Sequence, residues 1–156
     1  MEGWGFPKRD PETCIGCYSC YNICPEGVIT LEEVNDKRIY GSLSHNCVHC
    51  RECEKACPTE ALTVVSGFEL MSFLKGTSRE DITHQMLACS ECGEFFASVK
   101  HVEYTEQKVA ASGVKKVMDI PEGHLHICPA CKRKQIASGL LQTSIRQTAL
   151  FTSRRT

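Results

Sequence analysis

The chain is 156 residues long, 42% hydrophobic and near neutral at −1, which suits one ordinary domain or two small ones. Its outlying number is 12 cysteines, a density that means either a disulfide framework or metal sites. Residues 1–13 hold Glu2, Lys8, Arg9, Asp10 and Glu12 and no apolar run, which excludes a secretory signal there, and no stretch approaches the length of a membrane span. The expectation is a cytoplasmic protein, free or held at the cytoplasmic face of the membrane through a complex, in which thiolates bind metals.

In chain order, Trp4, Phe6 and Pro7 come first, an apolar tip that reads as a docking arm or a loose end. An internal repeat follows. Cys14, Cys17, Cys20, Cys24 and Pro25 recur as Cys47, Cys50, Cys53, Cys57 and Pro58, each shifted by 33, and Val28–Leu31 recurs as Ala61–Val64. Each half is predicted to be a cysteine loop, a helical turn carrying the second and third cysteines, and a short strand. Thr30–Val34 and Lys37–Leu43 read as a hairpin turned at Asn35-Asp36. Ile15, Ile23, Val28, Val48 and Leu62 are expected to line a dry interior. His49 stands where the first half has Gly16.

The run C-x2-C-x2-C-x3-C-P is the signature of bacterial two-cluster ferredoxins, and it occurs twice, complete. Three cysteines at steps of three converge on three corners of a cubane, while the fourth reaches the other cluster. One [4Fe–4S] cluster is therefore assigned to Cys14, Cys17, Cys20 and Cys57, the second to Cys47, Cys50, Cys53 and Cys24. With so few apolar residues per half, the clusters must serve as the core.

Residues 68–87 read as a linker: apolar Phe68, Leu70, Met71, Phe73 and Leu74, expected to pack on the cluster domain, then a short helix over Arg79–Leu87 capped by Thr77 or Ser78. A second domain is expected over 88–135, with the pair Cys89/Cys92, a strand over Phe95–Val99, a helix over Val102–Val114 and the pair Cys128/Cys131. Two C-x2-C knuckles make a tetrahedral four-sulfur site for one zinc or one rubredoxin-like iron, and zinc is preferred because it needs no partner chemistry. His124 and His126 read as surface loop residues, since four cysteines already fill a tetrahedron. Over 136–156 a basic helix or tail follows. From Lys132 to Thr156 there are six basic residues and no acidic one, whereas residues 1–131 carry the other 12 basic residues and all 19 acidic ones.

The fold class expected is α+β: a ferredoxin-like domain over 1–67, the linker, a zinc-ribbon-like or rubredoxin-like domain, and the C-terminal helix or tail. The order of motifs resembles a known family. Leu87-Ala88-Cys89-x2-Cys92-Gly93-x-Phe95-Phe96-Ala97 and Cys128-Pro129-Ala130-Cys131-Lys132-Arg133, behind a tandem-cluster ferredoxin, are similar to the small iron–sulfur subunit of formate hydrogenlyase and related membrane-bound [NiFe] hydrogenases, relatives of the 23-kDa-type ferredoxin subunit of respiratory complex I. The resemblance implies electron transfer within a multisubunit oxidoreductase, between a hydrogenase-type small subunit and an electron-input or output partner. The competing readings are a free ferredoxin with a zinc appendage and, in a different class, a metal- or redox-sensing regulator whose tail binds nucleic acid; the acidic body argues against the latter. No nucleophile–base pair, phosphate loop or carboxylate pair stands out, so no catalytic site is expected in the chain itself.

Overall fold

The computed structural model describes residues 5–67, 70, 74, 79–112 and 123–139. Along the chain run β1 (Gly5–Arg9), α1 (Ser19–Ile23), β2 (Ile29–Val34), β3 (Lys37–Ser42), α2 (Glu52–Lys55), β4 (Leu62–Ser66), β5 (Arg79–Ala88), β6 (Phe95–Ser98), α3 (Val99–Ser112) and a last helix, α4, over 129–139. The class is mixed α+β. Among the described residues two antiparallel sheets carry it: a two-stranded ribbon β1-β4 and a four-stranded sheet in the order β2-β3-β5-β6.

The 33-residue duplication is visible in the backbone as well as in the sequence. β1 and β4 pair with Arg9 opposite Leu62, while β3 and β2 pair with Ser42 opposite Ile29, the same register moved by one repeat. The Asp10 N–H donates to the Ala61 carbonyl at 2.8 Å, and its repeat mate Leu43 donates to Val28 at 2.8 Å. Left-handed backbone also recurs at the repeat distance: Gly16 and His49 (φ 67 and 57), Tyr18 and Arg51 (φ 68 and 60), Gly27 and Glu60 (φ 58 and 55). Four of these six are not glycine, so the loops hold a conformation that costs on the order of 1 kcal/mol or more at each such residue. Because Tyr18 and Arg51 take it, each helical turn starts after them and carries only the third cysteine, Cys20 or Cys53; Cys17 and Cys50 stay in the loops.

The two halves have traded bulk. In the first, Gly16 leaves room for Arg38, whose guanidinium Nη1 donates to the Gly16 carbonyl at 3.0 Å. In the second, the repeat mates are His49 and Gly5, and a Cβ on Gly5 would lie 2.7 Å from the His49 ring. Large and small have exchanged places across the same contact.

Several expectations are corrected. Phe6 and Pro7 are not a free tip, because β1 pairs along β4; Trp4 lies outside the described residues. Proline fits there because a two-stranded ribbon has an unpaired side for a residue without an N–H. Arg79–Ala88 is a strand, not a capped helix. Its pattern alternates, with His84 and Met86 buried and Thr83 and Gln85 exposed, and the free edge of the β2–β3 hairpin accepts it. Leu70 and Leu74 are 56% and 67% exposed, so they are not buried against the cluster domain, while Phe68, Met71 and Phe73 lie outside the described residues. α3 begins at Val99, earlier than expected, and the expected residues 113 and 114 lie outside the described set. α4 covers the start of the expected C-terminal helix, and residues 140–156 of that basic segment lie outside the described residues.

Of the expected lining, Ile15, Val28 and Leu62 are buried, whereas Ile23 and Val48 are 46% and 54% exposed. Ile15 and Val48 are repeat mates, and what separates them is a cover. β5, β6 and α3 lie over the first cysteine loop. The Ser98 hydroxyl, fully buried, donates to the Ile15 carbonyl and accepts the His101 N–H at 3.2 Å, so one side chain caps α3 and grips the loop. Lys100 Nζ donates to the Pro11 carbonyl at 2.9 Å, and Tyr104 Oη donates to the Pro58 carbonyl at 3.3 Å.

Candidate metal centres

One cavity is lined by Cys14, Cys17, Cys20 and Cys57 together with Arg9, Tyr40 and Leu62. A second is lined by Cys24, Cys47, Cys50 and Cys53 together with Val28, Ile29 and Val64. The fold thus brings the last cysteine of each repeat to the other repeat's triad. The apolar cluster between them is small: Ile29, Tyr40, Cys53, Leu62 and Val64, with Cys20, Cys24, Cys47 and Cys57 packed against it. Hydrocarbon alone is a meagre core for such a unit.

The donor set fits iron–sulfur clusters. Four soft sulfurs face each cavity, and backbone N–H groups already point at sulfur: Val28 donates to Cys24 Sγ at 3.4 Å and its repeat mate Ala61 donates to Cys57 Sγ at 3.3 Å. Burial pushes the thiols of Cys14, Cys20 and Cys47 upward, and that of Cys53 to about 11. A buried thiol that resists ionisation becomes a thiolate readily once cationic iron is beside it.

The two centres have different surroundings. Arg9, 6% exposed, stands beside the first: its Nη2 lies 3.8 Å from Cys20 Sγ, its Nη1 donates to Asp81 Oδ2 at 2.5 Å, and its guanidinium carbon sits 5.2 Å from the Tyr40 ring centroid. His84 stacks edge-on against Tyr40 at 5.9 Å and closes on Gly16, where an added Cβ would lie 3.0 Å from its ring. On the second centre, Cys50 is exposed and Val48 stands open to solvent.

His84 gives a pH dependence with a definite sign. Burial pushes its pKa down from 6.5 to about 4, with Lys100, Arg38 and Arg9 adding repulsion, and its Nε2 has no hydrogen-bond partner among the described residues. Below 6.5 the unfolded chain takes up a proton that the folded ring refuses, so stability is intact above that pH and is lost as the pH falls toward 4. At about pH 5 the loss is on the order of 1–2 kcal/mol. Denaturant midpoints compared at about pH 7 and about pH 5 should show a smaller drop for His84→Gln than for the natural chain; equal drops would contradict the assignment.

The third centre joins two knuckles. Cys89 and Cys92 sit in the turn between β5 and β6, where Gly93 has φ 78 and its N–H donates to the Cys89 carbonyl at 2.9 Å. Cys128 directly precedes α4 and Cys131 lies in its first turn, and the Ser90 N–H donates across to the His126 carbonyl at 3.0 Å. The four sulfurs all lie within 4.8 Å of one another, with Cys92 and Cys128 at 3.8 Å. A tetrahedron with metal–sulfur bonds of about 2.3 Å has edges of about 3.8 Å. The charges also call for a cation. The Cys128 N–H, 3.2 Å away, holds the Cys89 thiol down to about 6, while Cys131 is pushed up to about 12, first by its hydrogen bond with Cys128 and then by burial. Among the described residues, these four form the cluster able to hold a metal ion. His126 lies apart from it, its Nε2 3.0 Å from Glu106 Oε1, in keeping with a loop position.

Residues 13–61, which hold all eight cysteines of the two cavities, match the 4Fe-4S dicluster domain family. That segment is an iron–sulfur, electron-transfer domain. Over 134 residues, 84% of this chain and 73% of the relative, the protein is 29% identical to formate hydrogenlyase subunit 6 of Escherichia coli (strain K12). The resemblance read from the knuckle sequences is borne out: a protein named as a formate hydrogenlyase subunit aligns with most of this chain, and the cysteine-rich segment matches a 4Fe-4S family. Among the described residues no helix is long and apolar enough to cross a membrane. Sequence reading missed Arg9, Arg38, His84, Ser98 and Lys100 at these centres. The signal available for Arg9 and Arg38 was the repeat itself, since a charge breaks the duplication at each: Arg9 matches Ser42, and Arg38 matches Gly5.

Proposed function

We propose that the protein is the electron-transfer subunit of a multisubunit, hydrogenase- or formate-linked oxidoreductase, passing electrons through two [4Fe–4S] clusters. Cys14, Cys17, Cys20 and Cys57 hold one, and Cys24, Cys47, Cys50 and Cys53 hold the other. The observation that carries this reading is the sorting of eight cysteines into two cavities of four, each completed by a cysteine from the opposite repeat. The clusters, when bound, supply one-electron carriers. The chain's own part is to fix them side by side by crossed ligation, to exclude water with Val28, Leu62 and Val64, and to aim N–H groups at sulfur. Cys89, Cys92, Cys128 and Cys131 hold a structural zinc that pins β5, β6 and α4 together; rubredoxin-like iron is the alternative occupant. The neighbours are taken to be a hydrogenase-type small subunit and an electron-input or output subunit, by likeness to the formate hydrogenlyase relative.

Oxygen-free protein is expected to contain about eight irons and eight acid-labile sulfides per chain, plus one zinc. Cys128→Ser should remove the zinc and destabilise the second half while both clusters keep their EPR signals. Loss of electron transfer with that half still folded would make the site redox iron. Native purification separates the subunit reading from a diffusible ferredoxin: co-purifying redox subunits support the former, and a monomer at physiological concentration supports the latter.

A further inference from the structure

The cover over the first cluster site poses an electrostatic problem. Adding one electron takes a [4Fe–4S]²⁺ core to [4Fe–4S]⁺, and the four thiolates make the whole unit more negative still. Burial disfavours that added charge, and the site of Cys14, Cys17, Cys20 and Cys57 is the one that β5, β6 and α3 close over. Its repeat mate has the exposed Cys50 and Val48 instead. On burial alone the first site would be the harder to reduce.

Arg9 is placed to offset this. It lines the first cavity, is 6% exposed, and brings Nη2 to 3.8 Å from Cys20 Sγ. The repeat mate of Arg9 is Ser42, a buried hydroxyl, so the cation belongs to one half and breaks the internal symmetry. Asp81 of β5 accepts from Arg9 Nη1 at 2.5 Å with both side chains withdrawn from solvent, at 1% and 9% exposure. A screened surface pair would matter little, but a buried cation held against a cluster ligand acts at short range.

We propose that Arg9, positioned by Asp81, sets the reduction potential of the cluster on Cys14, Cys17, Cys20 and Cys57. The guanidinium raises that potential by stabilising the more negative, reduced form. Asp81 fixes the guanidinium and moderates its charge, and because Asp81 lies on β5 it ties the tuning of this centre to the second half of the chain. The inference rests on the two-cluster reading above, and the two can fail separately.

The test uses the full chain, purified without oxygen, with iron and sulfide measured first and reduction then followed by EPR against applied potential, with dithionite as electron donor. A natural chain without acid-labile sulfide overturns the two-cluster reading, and this inference with it, before any variant is made. With both clusters present, Arg9→Gln should move one of the two reduction steps to lower potential, weakening reduction at least about tenfold, or about 59 mV for one electron. Asp81→Asn should move the same step the opposite way, and Arg9→Lys should leave it near its natural position. The other step should shift by far less. If Arg9→Gln does not load its clusters, the opposite-sign shift in Asp81→Asn decides. Unmoved steps, equal movement of both steps, or shifts of the same sign in Arg9→Gln and Asp81→Asn would overturn the proposal and leave Arg9 a packing residue.

Discussion

Replacing Cys24 by Ala is expected to cost the cluster on Cys47, Cys50 and Cys53, residues that lie 23 or more positions away in sequence, and to spare the cluster on its own neighbours Cys14, Cys17 and Cys20. Iron should fall from about eight per chain toward about four, with sulfide in step, while the zinc stays. The reason is geometric. α1 ends at Ile23, and the extended backbone at Cys24 (ψ 112) carries its sulfur to the cavity shared with Cys47, Cys50 and Cys53. Stability should fall as well, because among the described residues the buried apolar cluster there is small: Ile29, Tyr40, Cys53, Leu62 and Val64. Cys57→Ala is the mirror experiment and should cost the other cluster. Loss of the sequence-adjacent cluster in either variant would refute crossed ligation.

Much of this was legible because it is local or repeated. The two cysteine runs, the hairpin turned at Asn35 and both knuckles are short patterns with fixed chemistry; the hairpin is there, and the four knuckle sulfurs meet. What escaped was set by distant partners. Arg79–Ala88 opens with Arg-Glu-Asp after a serine, which imitates a capped helix start; its strand character comes from the unpaired edge of β3. Its alternation was present all along, but His84 disguised it by being polar and buried. β1 was missed because its partner β4 lies more than 50 residues away and Pro7 lowers any strand reading. The duplication would have supplied it, since 5–9 is the repeat mate of 38–42 within β3. The exposure of Val48 could not be read from a loop identical in spacing to that of buried Ile15; only the cover from the second half separates them.

That cover hangs on Arg38, and Arg38→Met should be the most destabilising single change outside the cysteines. The side chain is 0% exposed and makes three hydrogen bonds: to the Gly16 carbonyl at 3.0 Å, the Phe96 carbonyl at 3.4 Å and Glu33 Oε1 at 2.7 Å. Its guanidinium carbon also lies 3.8 Å from the Tyr18 ring centroid. Gly16 belongs to the first cysteine loop, Phe96 to β6 and Arg38 to β3, so one cation joins the ferredoxin unit to the second half. Methionine fills the volume but leaves two carbonyls without their donor, at a cost on the order of 3–5 kcal/mol. Arg38→Lys should recover little, since an ammonium cannot reach three acceptors in one plane or lie flat over Tyr18. Glu33→Gln, by contrast, touches a carboxylate whose side chain is 42% exposed and should cost under about 1 kcal/mol. Denaturant midpoints of oxygen-free protein rank the three, and the rate of iron release in air reports the first cluster's cover. If Arg38→Met matched the natural chain in both, the two halves would be held together without it, by β3–β5 pairing, the Arg9–Asp81 pair and the Ser98, Lys100 and Tyr104 contacts.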